Sequence, residues 1–217
     1  MKKIMFSDKF NLTQAVLSGT KTMTRRLLTM PKTCNGKEVY GFNVITNVFG
    51  TQYVELVDDD EGFLGSWKPY YGVGEIVAIA QSYKNIYSEM IVDFAKHNYH
   101  IPREDAAEKF KKVYESYAGW NNKMFAKAAL MPHHIRITDI RVERLQDISD
   151  EDCLREGVWQ FPGNKFTFYI SKIIGKYKAK AFPTARDAYK YLIDKVSGKG
   201  TWESNPWVVA YSFELVD

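Results

Sequence analysis

The sequence predicts an α+β domain: a small β-barrel with peripheral helices and a helical insertion. Three observations predict it. Strand-like segments are scattered over the whole chain without regular βαβ alternation, two capped helices stand in its C-terminal half, and a helical run lies between two strand segments. At 217 residues the chain has the length of one large domain, read as residues 1–217 with the insertion at about 86–118.

Composition narrows the class. Hydrophobic residues make up 45% and charged ones 26%, which excludes a disordered chain. A formal net charge of +4 permits a polyanionic partner without requiring one. Cys34 and Cys153 show neither metal nor redox spacing and fit a reducing cytosol. No apolar run approaches the ~20 residues of a membrane span, and the first residues lack a signal-peptide core, so a soluble cytoplasmic protein is expected.

The elements follow in order. Residues 8–18 place Leu12, Ala15 and Val16 on one helical face, with Ser7 available as N-cap and Gly19 just past the end. Residues 38–57 read as two strands around Gly50, with Tyr40, Phe42 and Val44 alternating in the first and Tyr53, Val54 and Leu56 in the second. After an acidic turn at 58–61 comes YGVGEIVAIAQSY, an apolar central strand entered through Gly72 and Gly74. Residues 86–98 and 102–118 are helical, the second opening at Pro102 and carrying Ala106, Phe110, Val113, Tyr114 and Tyr117 at helical spacing.

HIRITDIRVERL returns to strand. Ile135 and Ile137 share one face, Ile140 and Val142 the other, and the change of phase at Thr138 and Asp139 suggests a bulge. ISDEDCLREG is a short helix with Ser149 as N-cap, Asp152 three residues on, Ile148 placed to staple against Cys153, and a stop at Gly157. A second capped helix starts at Thr184, with Asp187 at its third position, and buries Ala185, Ala188, Leu192, Ile193 and Val196. In the last segment, NPWVVAYSFELV, Val209, Tyr211, Phe213 and Leu215 alternate as one face of a strand.

One segment asks for more than structure. LSGTKTMTRR, residues 17–26, spends three cations and four hydroxyl side chains where a helix stops, and connecting segments do not usually do so. Cations there also complement the negative end of a helix dipole, which is reason enough for some of them.

Three pieces in order, LSGTKTMTRR, VERLQDISDEDCLREG and NPWVVAYSFELV, together resemble the ASCH (activating signal cointegrator homology) family, most closely its bacterial and phage members. The resemblance covers roughly residues 3–28, 69–83 and 131–217 and skips the helical insertion. It implies a PUA-like β-barrel, a ligand cleft facing the GxKTxTxR segment, and RNA or a modified nucleoside as partner, with no cofactor. Some small bacterial members are amidohydrolases that remove the acyl group from N4-acetylcytidine with a lysine, a threonine and a glutamate. By motif position these are Lys21, Thr24 and Glu156 here, with Gly19, Thr22, Arg25 and Arg26 as ligand-binding residues. The sequence departs from related phage members at Ala80 and Gln81, where an arginine and a glutamate are often found.

Elementary chemistry bears on those positions. Glu156 lies in the last turn of its helix, so its charge needs a cation, and Lys21 is the candidate. Arg25 and Arg26 near Lys21 lower its pKa; a neutral lysine is able to activate Thr24 as a nucleophile while Glu156 serves the leaving amine. The same residues serve equally as a non-catalytic RNA-binding cleft, and a solvated glutamate, a dipole-neutralising lysine and a turn threonine are the plain structural alternatives. A ribonuclease is a third option for the family, but no histidine pair stands out for it.

Residues 165–190 hold seven cations against the single acid Asp187, with Phe166, Phe168, Tyr169, Tyr177 and Phe182 interleaved, a mixture suited to phosphates and base stacking but equally to a solvated face. His133 and His134 have no acid or cysteine at ligand spacing beside them, so no metal is expected.

Overall fold

The computed structural model describes residues 1–48, 52–97, 102–170 and 180–216. It is a mixed α+β fold, with twelve strands in several sheets and six α-helices among the described residues. In chain order the elements are β1 (Lys3–Ile4), α1 (Leu12–Leu17), β2 (Met23–Leu27), β3 (Thr33–Cys34) and β4 (Lys37–Glu38). Next come β5 (Gly41–Thr46), β6 (Gln52–Val57), β7 (Phe63–Trp67), β8 (Ile76–Ile79), α2 (Tyr83–His97) and α3 (Pro102–Tyr114). The chain continues through β9 (His134–Arg144), α4 (Asp150–Arg155), β10 (Trp159–Gln160), β11 (Phe168–Tyr169), α5 (Ala185–Ser197), α6 (Thr201–Ser204) and β12 (Trp207–Leu215). Contacts divide it into two compact units, one of Met1–Leu17, Ile76–Arg136 and Leu215–Asp217, the other of Ser18–Glu75 and Ile137–Glu214.

In the first unit β1 runs parallel to β8, pairing Lys3 with Ala78 and Ile4 with Ile79, and β8 runs antiparallel to the start of β9. Val77, Ala78, Ile79 and Ile135 are fully buried, as a near-continuous apolar run in a central strand requires. The helical insertion packs through aromatic side chains: the Tyr83 ring lies 6.0 Å from Phe110 and 4.8 Å from Tyr114. Gly119 sits against it so closely that an added Cβ would meet the Tyr83 ring at 2.6 Å. The buried face of α3 therefore runs through Ala107, Phe110 and Tyr114, not through Ala106 and Val113, which are exposed, and Tyr117 lies beyond the helix end. Two lysines clip this unit: Lys3 Nζ donates to the carbonyls of Lys123, Met124 and Ala126, and Lys123 Nζ donates to the Phe6 carbonyl, Asp8 Oδ1 and Thr13 Oγ1.

The first helix starts later than the sequence suggests. Residues 8–10 form a 3₁₀ turn closed by Asn11 in the left-handed region (φ 56°), and the Ser7 side chain makes no capping bond. Asparagine tolerates that conformation, so the α-helix begins only at Leu12.

In the second unit β2 and β12 pair antiparallel, with Thr24 opposite Tyr211 and Arg26 opposite Val209. β12 is buried on both faces from Val208 to Phe213, rather than on the single face its alternation predicts, while Leu215 is largely exposed. β5, β6 and β7 form a three-stranded antiparallel meander; Gly50 lies outside the described residues. β7 and the β3–β4 hairpin escape the sequence reading, although Asn35-Gly36, both at positive φ (51° and 79°), is a strong hairpin signal. β9 runs unbroken, its first residues in the first unit and the rest in the second, and its buried set changes phase from Ile135 and Ile137 to Val142.

Both predicted caps form. Ser149 Oγ accepts the Asp152 N–H at 3.1 Å and Thr184 Oγ1 accepts the Asp187 N–H at 3.0 Å, each satisfying one donor at a helix start. Ile148 and Cys153 are both buried. On α5 the buried set is Ala185, Ala188, Tyr189, Leu192 and Ile193; Val196, in the last turn, is exposed.

Candidate functional site

The candidate residues all lie in the second unit, where the chain leaves α1, turns at Gly19 and enters β2. Gly19 has φ +69° with open space around it, so backbone conformation, not crowding, is what asks for glycine. Thr22 is stitched at both backbone groups: its N–H donates to the Arg155 carbonyl, and its carbonyl accepts the Phe213 N–H, each at 2.9 Å. Its hydroxyl accepts Arg155 Nε at 3.3 Å. These bonds hold the GTKT segment against the end of α4.

Lys21 is 2% exposed. Its ammonium donates to the Met23 carbonyl, the Glu156 carbonyl and Glu156 Oε2, each at 2.7 Å. Three acceptors for a three-donor group favour the charged form. Burial pulls its pKa below the ordinary value, the Glu156 carboxylate opposes that, and Arg26 and Arg25 add to it. Glu156 caps α4 and Gly157 turns away at φ +103°, which leaves the glutamate carboxylate at the negative helix end facing Lys21.

Arg25 extends the pair into a network. It donates through Nε to Glu143 Oε1 and through Nη2 to Asp152 Oδ2, both at 2.8 Å, and Nη1 stands 3.4 Å from Glu156 Oε1. Arg141 Nη2 shares Asp152 Oδ2 at 2.8 Å, and Arg155 Nη2 donates to Ser212 Oγ at 3.1 Å. Burial works against the Arg25 charge, but Glu156 and Glu143 outweigh it and raise its pKa. For Asp152 burial is likewise outweighed, by the hydrogen bonds from Arg25 and Arg141, and its carboxyl stays below the usual range. Burial also pushes the neighbouring Cys153 thiol up to about 12, which makes it inert.

The pleat of β2 divides the motif. Met23 and Arg25 share a face, their side chains in contact at 3.1 Å, so Thr24 and Arg26 point to the other side. There Thr24 stands beside its register partner Tyr211, whose ring packs 5.3 Å from Tyr71; Tyr71 in turn lies 4.8 Å from Tyr70. The Tyr211 phenol oxygen accepts the backbone N–H groups of Tyr71 and Tyr70. Burial pushes the Tyr71 phenol up to about 12, with Arg26 acting against that rise. Tyr70 is 63% exposed and leaves one ring face of this aromatic wall open. Among the described residues the Thr24 hydroxyl, though buried, makes no hydrogen bond.

Lys21 and Glu156 therefore meet, Arg25 joins them, and Thr24 and Arg26 face an aromatic wall. Sequence reasoning missed Glu143, Arg141 and Tyr71, and took Asp152 only as a cap-turn acid. The RVER stretch carried a signal, since Arg141 and Glu143 at alternate strand positions share a face.

The basic stretch is largely occupied where it is described. Arg186 donates to the carbonyls of Ile148 and Gln146 and stacks on Trp202, Lys190 pairs with Glu203 at 2.5 Å, and Lys180 lies over Phe182 and Tyr191. Lys172, Lys176, Tyr177 and Lys178 lie outside the described residues.

Among the described residues no group of His, Cys, Asp and Glu is arranged to hold a metal ion, and no helix is long and apolar enough to cross a membrane. No family model, curated protein or solved structure matches the chain.

Proposed function

We propose that this chain is an ASCH-type, PUA-like module that binds RNA or a modified nucleoside on the side of β2 carrying Thr24 and Arg26. In this reading β2 and β12 are neighbouring staves of the barrel. The observation that carries it is the placement of the Arg26 guanidinium and the uncommitted Thr24 hydroxyl beside the Tyr70–Tyr71–Tyr211 wall, with Tyr70 exposed. A ring face accepts a stacked base of any identity, a guanidinium offers a fork of donors to phosphate or base carbonyl, and a hydroxyl reads either a donor or an acceptor. The Lys21–Glu156–Arg25 network underneath fixes the strand. We place the protein inside the cell, where thiols stay reduced, since Cys34 and Cys153 are both unpaired.

Fluorescence anisotropy with short single-stranded RNA, and calorimetry with cytidine and N4-acetylcytidine, test this reading. Tyr70→Ala is expected to weaken binding about tenfold, in line with ~1–3 kcal/mol for a base–aromatic stack. Arg26→Ala weakens it at least as much. Wild-type protein that binds none of these ligands, or binds them unchanged in both variants, refutes the proposal.

A second reading, an amidohydrolase of N4-acylated cytidine, is favoured by one observation: Lys21 Nζ and Glu156 Oε2 stand 2.7 Å apart as an acid–base pair. It replaces the first if mass spectrometry shows deacylation that Thr24→Ala abolishes while ligand binding survives.

A further inference from the structure

The first unit holds a cleft of about 520 Å³ beside α2, within the size range of small-molecule sites. Ile86, Glu89 and Met90, spaced i, i+3 and i+4 on the helix, share one face toward it, and Val92, Pro132 and His133 complete its lining. Most of that wall is apolar. Its polar end is unusual.

Gln81, 1% exposed, donates its amide N–H to Glu89 Oε1 at 2.5 Å. That bond leaves Gln81 Oε1 and Glu89 Oε2, both buried atoms, without a hydrogen-bond donor among the described residues. His133 Nε2 stands 3.4 Å from Glu89 Oε2 and balances it only when protonated. A buried acceptor left unpaired costs about 1–3 kcal/mol, and more when it is charged. Here two such acceptors are neighbours, and one belongs to a carboxylate. The group that satisfies both is a cationic donor.

We propose that this cleft is a binding site for a small molecule joining a hydrophobic body to a protonated amine. The ammonium donates to Glu89 Oε2 and Gln81 Oε1, and the body lies along Ile86, Met90 and Pro132. The proposal is independent of the nucleoside reading, because every residue it uses lies in the first unit.

Three probes of one shape test it: phenethylamine (cation), phenethyl alcohol (neutral) and hydrocinnamate (anion), titrated into the full chain by calorimetry and ligand-observed NMR. The amine is expected to bind at least about tenfold more tightly than the alcohol, the scale of one charge-assisted hydrogen bond, with the carboxylate weakest. Glu89→Gln, nearly isosteric, is expected to bring the amine down to the level of the alcohol. No amine binding to wild-type protein, equal affinity for amine and alcohol, or an amine preference that survives in Glu89→Gln each overturns the proposal. The wild-type comparison decides the matter even if the variant does not fold.

Discussion

Removing the Glu156 charge tests whether the buried network governs stability. The Lys21 and Glu156 side chains are 1% and 6% exposed, and that of Arg25 is 0%. Glu156→Gln preserves shape and leaves the Lys21 ammonium three oxygen acceptors, the Met23 carbonyl, the carbonyl of residue 156 and the new amide oxygen. What it removes is the counter-charge. Lys21 then stands uncompensated, and Arg25 keeps only Glu143 and Asp152. Breaking a buried pair from one side costs about 3–5 kcal/mol, and because the hydrogen bonds survive here the lower end, about 3 kcal/mol, is expected. With a urea dependence near 3 kcal/mol per molar for a chain of this length, the unfolding midpoint falls by about 1 M. The assay is urea unfolding by far-UV circular dichroism on the wild type, Glu156→Gln, and the double variant Lys21→Met with Glu156→Met. The double variant should recover most of the loss, since neither charge is left alone in the interior. A loss below about 0.5 kcal/mol in Glu156→Gln, the range of ordinary surface substitutions, would refute the reasoning, as would a double variant less stable than the single one.

Two further outcomes follow from individual side chains. Tyr71 titrates near 12 in the folded protein against an ordinary value of 10.0, so above pH 10 the unfolded chain gives up its proton first. Its contribution is present below pH 10 and is lost as pH rises toward 12; Tyr71→Phe should flatten that part of the stability profile measured by thermal melts. Lys3→Met takes the ammonium from the carbonyls of Lys123, Met124 and Ala126, and a loss of about 1–3 kcal/mol is expected. Hydrogen exchange should show faster amides in that segment, and unchanged exchange there would mean that the clip is not formed in solution.

Both caps, at Ser149 and Thr184, were legible in the sequence because a cap is a relation between residues three positions apart. So were the insertion between β8 and β9 and the strand character of β12. The Asn35-Gly36 hairpin was equally readable and was passed over. The start of α1 was not: whether Asn11 adopts a left-handed turn depends on what the chain packs against on either side. Nor was the true face of α3, since Ala107 is selected over Ala106 by packing among the Tyr83, Phe110 and Tyr114 rings.

The candidate site shows the same division. The GTKTMTRR segment announced itself by composition, and the need of Glu156 for a cation followed from its place at a helix end. By itself, then, the sequence determined which short segments form elements and which residues carry unusual chemistry. Only the tertiary structure decided that Arg25 is committed to Glu143 and Asp152, and that Thr24 and Arg26 face Tyr71 and Tyr211 instead. The reason is physical: hydrogen-bonding periods and caps act over a few residues along the chain. A buried charge, by contrast, finds its partner across the 135 residues that separate Lys21 from Glu156, where strand pairing and the two-residue pleat set which side chains share a face.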